Sequence, residues 1–179
     1  EITTRLVGSE MSIRDSGNVS PMITERLLRV PTFYTMHTNQ KEGSVNPVGT
    51  FVGPKVLLVN EYSASDGDLF PYRFKYNKLG TIIGHRTWGG VVGYSGMVPV
   101  VDGGAIVTPS YAPFAVDGSG FIIEGSGVTP HLEIDNDPYK EYMGEDEQLN
   151  KAIEIILEKL KTEMPHEPAI PLFPDKSGK

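Results

Sequence analysis

The chain of 179 residues has no cysteine, and that absence removes disulfides, thiolate nucleophiles and cysteine-ligated zinc at once. Positive charge is also scarce: 16 Lys and Arg stand against 23 Asp and Glu, for a formal net charge of -7. Such a surface has no field to draw phosphate backbones or anionic lipid, so nucleic acid is not an expected partner. No apolar run approaches the roughly 20 residues a membrane-spanning helix needs, and no basic-then-apolar leader opens the chain. Only 4 histidines occur, and no two have the spacing of metal ligands, so neither a metal nor another cofactor is expected.

What is present is 39% hydrophobic residues with 20 Gly and 14 Pro, a globular and turn-rich composition that at this length suits one compact domain. Residues 1–13, with Glu1–Ser12 lacking periodicity and a start methionine, read as a cut edge. The main domain is expected over 14–163. Residues 164–179 are rich in proline and read as an extended arm lying on its own domain or on a neighbour.

Within the main domain, a helix is expected from about Val19 to Arg29, with Ser20 as cap and Pro21 in the first turn. Thr32–Thr38 reads as a strand and Gly43–Pro54 as loop. The continuous apolar run Lys55–Asn60 has the pattern of a strand covered on both faces. A helix over Ser65–Lys78 and a strand over Thr81–Gly84 follow, which makes a βαβ unit whose ligands sit at the carboxyl ends of the strands. Short β-runs, Val98–Val101, Ala105–Pro109, Phe121–Glu124 and His131–Asp135, then alternate with glycine turns. Glu147–Lys161 is the most periodic helix, with Glu147 placed to pair with Lys151.

Asn60-Glu-Tyr-Ser-Ala-Ser-Asp-Gly-Asp68 lies where the apolar strand ends and the next helix begins. A hydroxyl there is held at the sheet edge, beside unpaired N–H donors and the positive end of a helix dipole, both suited to an oxyanion. Ser65 is therefore a candidate nucleophile. The same Ser65-Asp-Gly-Asp68 also matches a capping box, in which Ser65 binds a backbone N–H and Asp68 returns the bond, and local sequence alone favours the cap.

Three motifs in order, NEYSASDGD, GHRTWGGVVG and DGSGFIIEGSGVTPHLEIDNDP, resemble the catalytic C-terminal domain of tricorn-type serine peptidases, relatives of the tail-specific processing peptidases. The likeness runs from about Arg14 to Lys161. It implies an α/β fold, the crotonase/Clp-peptidase-like ββα sandwich, and hydrolysis of peptides or unfolded polypeptide through an acyl-enzyme. Carried over by position, the resemblance makes Ser65 the nucleophile and the N–H of Asp66 one oxyanion donor. Gly17, in the short turn Arg14-Asp-Ser-Gly-Asn18, is the candidate for the second donor. Glu124 matches the glutamate that completes the family's Ser–His–Ser–Glu tetrad; read alone, it is a turn-edge carboxylate.

A serine hydroxyl needs a general base. The resemblance places that histidine, and a serine beside it, upstream of a PDZ-like domain, outside this chain. Of the local histidines, His85 lies nearest the expected active-site edge, His37 and His131 flank β-runs, and His166 belongs to the arm. Gly89 and Gly90 put flexible backbone near the cleft, where an extended peptide could add as a strand, or where the chain simply turns tightly. Homo-oligomeric assembly and a cytoplasmic location are also expected. The alternative reading is a non-catalytic peptide-binding or degenerate homologue of the same fold. A third reading, an acyl-CoA-handling enzyme of the crotonase group, shares the fold but has none of its motifs here.

Overall fold

Pro21 and the spacing of Ile23 and Leu27 produce helix α1, Ser20–Leu28, in the computed structural model, which describes residues 18–40, 42–163 and 168–172. Ser20 does not cap it. Val19 occupies the cap position without a side-chain bond, and the N–H groups of Val19 and Ser20 both donate to the distant carboxylate of Asp66, at 2.9 Å each. A carboxylate accepts these first-turn donors more strongly than a hydroxyl does, and it suits the positive end of the helix dipole.

Strand β1, Phe33–Thr35, pairs antiparallel with β2, Ser44–Asn46. The expectation that Gly43–Pro54 is all loop was therefore too broad, because its first residues close a hairpin before Pro47 removes the next N–H donor. Strand β3, Val56–Val59, and β4, Thr81–Gly84, are parallel, as the βαβ pattern required, and flank helix α2, Asp66–Tyr76. A short β7, Leu132–Glu133, adds parallel to β4, completing a three-stranded sheet of order β3-β4-β7. The mixed architecture is α/β, as expected.

Strands β5, Gly93–Pro99, and β6, Ala105–Tyr111, form a separate antiparallel hairpin. Nearly all of it is exposed, although Tyr94, Met97, Ile106 and Val107 are apolar. Phe121–Glu124 is not a strand: Phe121 makes one bridge to Phe114, and Ile123 turns the chain at a φ of 70°. That turn places Ile123 in the core and directs Glu124 elsewhere.

Helix α3, Pro138–Tyr142, capped by Asp137, was not expected. It leads into α4, Glu147–Leu160, capped by Asp146 and packed against β3 and β4. Glu147 pairs with Lys140 at 2.6 Å rather than with Lys151, which instead meets Glu154 at 2.7 Å. Lys140 reaches Glu147 across the turn that joins the two helices. This contact holds the Lys140 ammonium above its usual pKa and the Glu147 carboxyl below its own.

One core unites Val59, Phe70, Phe74, Ile82, Val91, Ile123 and Val128. Residues from β3, α2, β4, the 86–92 segment and the 122–128 loop thus share a single apolar cluster. Such packing fixes those two irregular segments against the sheet's carboxyl edge.

Candidate active site

Where β3 ends, Asn60 starts a tight turn: its side-chain oxygen accepts from Tyr62 N–H at 3.2 Å, and its carbonyl accepts from Ser63 N–H at 3.1 Å. Ser63 and Ala64 are buried, and the next residue, Ser65, is exposed. Ser65 holds a φ of 54° and a ψ of -114°, a conformation few residues with a Cβ adopt. It stands at the cap position of α2, but its side chain makes no capping bond. The capping box is therefore not formed. A strained strand-to-helix turn lifts the hydroxyl clear of the backbone instead, which is the geometry of a nucleophile elbow.

The first turn of α2 is anchored on the carbonyls of Ala64 and Ser65. Gly67 N–H donates to Ala64 O at 2.7 Å, and Asp68 and Leu69 N–H both donate to Ser65 O at 3.0 Å. The N–H of Asp66 donates to no acceptor among the described residues. It remains open beside Ser65, as an oxyanion donor must. The Asp66 carboxylate would oppose a negative charge if it pointed the same way. It is buried and turned toward α1, where it takes the two amides, the Ser20 hydroxyl and, at 3.7 Å, the guanidinium of Arg73.

Ser65 N–H donates to Gly90 O at 3.0 Å, and Trp88 N–H to Ser63 O at 3.0 Å, so the Ser63–Ser65 segment lies along the 88–90 strap. Glu124 grips the same strap. Its Oε2 accepts from Val91 N–H at 2.7 Å and from Val92 N–H at 2.8 Å. Gly125 N–H adds a bond to Gly89 O at 2.7 Å. Ser65 and Glu124, 59 positions apart by subtraction of their numbers, are thus attached to adjacent residues of one segment. Among the described residues, the second oxygen of Glu124 has no hydrogen-bond partner.

Gly89 and Gly90 have a different environment from the one expected for a strand-accepting edge. Their N–H groups donate to the Asp68 carboxylate, at 2.8 and 3.1 Å, and their carbonyls take Gly125 and Ser65. Gly89 is buried at a φ of 91°, and a Cβ there would stand 2.5 Å from Gly127 N. Close approach of two loops, rather than room for a peptide, is what requires glycine at 89.

The histidines make other contacts. His85 extends from the end of β4 toward Asp135 at 3.2 Å and Glu133 at 3.6 Å. His131 accepts the Ile82 N–H on Nδ1 at 2.9 Å, and His37 lies exposed beyond β1. None of the three is hydrogen-bonded to Ser65 among the described residues. Gly17 and His166 lie outside the described residues. Among those described, no cluster of His, Asp and Glu could hold a metal, and no helix is long and apolar enough to cross a membrane.

Sequence reasoning missed Asp68 as the anchor of the strap. Its acidic type at the third position of a helix fits a cap equally well, and only the location of Gly89 and Gly90 reveals its partners.

The chain is similar in sequence and fold to known proteins. The chain is 40% identical over 161 residues to the tricorn protease of Thermoplasma volcanium, covering 87% of this chain and 15% of that one. It is 34% identical over 156 residues to tricorn protease homolog 1 of Streptomyces coelicolor, over 86% of this chain and 14% of the relative. The crystal structure of the tricorn protease superposes with a TM-score of 0.74 at 36% identity, over 82% of this chain and 14% of the other. The chain thus spans about a seventh of the length of these relatives. Residues 16–134 match the model of peptidase family S41, and the chain belongs to that family, in its tricorn-type branch.

Proposed function

We propose that this chain is the nucleophile-bearing part of a serine peptidase that hydrolyses peptides through an acyl-enzyme on Ser65. The observation that carries the reading is the strained, exposed, uncapping Ser65 beside the open N–H of Asp66. In the reaction, a base takes the Ser65 proton as Oγ attacks the scissile carbonyl carbon. The carbonyl oxygen becomes an oxyanion facing the Asp66 N–H. The protonated base then gives its proton to the leaving amine as the C–N bond breaks. Water, deprotonated by the same base, attacks the ester carbonyl and releases the acid and Ser65.

The base is a histidine supplied by a part of the protein outside these residues, upstream of a PDZ-like domain, with the free oxygen of Glu124 orienting it through the intervening serine. Gly17 supplies the second oxyanion donor. Homo-oligomeric assembly in the cytoplasm belongs to the same proposal, and the exposed apolar hairpin β5–β6 supports a surface that is covered in an assembly.

The direct test is fluorophosphonate labelling of the assembled protein, in which Ser65 carries the label and Ser65→Ala abolishes it. Labelling of Ser65→Ala at the parent rate would place the nucleophile elsewhere. Parent protein that fails to label would favour the non-catalytic peptide-binding reading.

Glu124→Gln keeps a carbonyl oxygen for the Val91 and Val92 amides but offers the base side an uncharged group. The expected result is a fall in kcat on the order of 10²-fold or more with the thermal midpoint unchanged. Equal turnover in parent and variant would leave Glu124 only its structural bonds.

A further inference from the structure

Asp68 is fully buried, and no lysine, arginine or histidine among the described residues forms an ion pair with it. An unpaired buried carboxylate is costly unless donors surround it. Its donors are the backbone N–H groups of Gly89, to Oδ1 at 2.8 Å, and of Gly90, to Oδ2 at 3.1 Å. A place in the first turn of α2 adds the helix dipole. Both carboxylate oxygens therefore act on one peptide unit and its neighbour, in the middle of the strap.

That location sets what Asp68 controls. Gly90 O receives the Ser65 N–H, Gly89 O receives the Gly125 N–H, and Val91 and Val92 N–H reach Glu124. The strap has a bond to the nucleophile on one side and to the Glu124 loop on the other, and Asp68 binds it between them. Ser65 sits in a conformation that it would not hold unaided. Whatever fixes Gly90 therefore also fixes the direction in which the hydroxyl points.

We propose that Asp68 is a positioning residue for the Ser65 nucleophile, acting through the Gly89–Gly90 peptide rather than by contact with substrate; this rests on the reading of Ser65 given above. Two acceptors are needed because two N–H groups converge on the same side chain. Asn at this position presents one oxygen and one NH₂, and the NH₂ opposes whichever amide it meets. Ser offers a single, shorter acceptor and leaves space. Either change frees the strap to shift while the apolar core stays as it was.

The test compares Asp68→Asn and Asp68→Ser with parent in the assembled protein, with turnover of a fluorogenic peptide expressed per folded molecule. The expected result is a loss in kcat on the order of 10²-fold, because misplacement by about 1 Å carries that penalty, with KM little changed. The rate constant for fluorophosphonate labelling falls in parallel, and amide exchange at Gly89 and Gly90 accelerates. A merely structural role would lower the thermal midpoint and leave kcat per folded molecule at the parent value; that outcome overturns the proposal. Failure of both variants to fold overturns it too, since Asp68 would then belong to global stability. Ser65→Ala, labelled alongside, separates the two readings. Persistent labelling sinks the nucleophile assignment, whereas lost labelling with unaltered kcat in the Asp68 variants sinks only the positioning role.

Discussion

Purified alone, the 179-residue chain hydrolyses a fluorogenic peptide at a negligible rate, and adding a histidine-bearing upstream part in trans raises Ser65-dependent turnover by roughly 10²–10⁴-fold. That factor is what a positioned base contributes to proton transfer. The described residues leave the Asp66 N–H open beside Ser65 and one Glu124 oxygen unbonded, but their histidines are committed to other contacts or lie apart. Residual activity from oxyanion stabilisation alone is expected to be weak rather than nil. Cleavage by the purified chain at full rate, lost in Ser65→Ala, would put the base inside these residues. His85 would then be the first to replace, and its contacts with Glu133 and Asp135 would have to rearrange.

The largest effect on stability is expected at Gly84, where β4 ends. Gly84 is buried at a φ of 124°, and an added Cβ would overlap the carbonyl group of Val59 on the neighbouring strand. Backbone in this region costs a residue with a Cβ about 1–3 kcal/mol, and overpacking adds about 1–3 kcal/mol more. Gly84→Ala should therefore lose on the order of 3 kcal/mol or more, a large fraction of the stability of an ordinary domain. Urea unfolding followed by circular dichroism measures it. A midpoint equal to that of the parent would mean that β3 and β4 separate there without penalty, against the register Val59↔Gly84.

The parallel pair and its helix were legible because their signals are local. Val56–Val59 is continuously apolar, Thr81–Gly84 is bounded by glycines, and the length between them suits one helix. Helix α4 was equally plain from the spacing of Leu149, Ile153, Ile156 and Leu160. Strand β2 was hidden by the Pro and Gly that surround it, and the turn at Ile123 by the β-forming character of Phe121–Ile123. Tertiary packing overrode propensity at both places.

The site divides in the same way. The strand-to-helix junction at Ser65 was readable from a local pattern, but that pattern favoured a cap, and the candidate roles of Ser65 and Asp66 came from the resemblance. Glu124 was readable only by resemblance, since nothing near it in sequence foretells that Val91 and Val92 will meet it. The anchoring roles of Asp66 and Asp68 were invisible: each carboxylate captures backbone amides from a segment distant in the chain, and amides leave no trace in residue type.

The backbone at Ser65 bears on how such a chain changes over generations. At a φ of 54° and a ψ of -114°, glycine is the residue that relaxes the turn, so replacement of Ser65 by glycine would make the fold more comfortable. A lineage that kept the domain only to hold peptides would gain stability from that single change and lose nothing. On the function proposed above, serine in so unfavourable a conformation is what selection for turnover would leave behind, and random drift away from catalysis would erase it early.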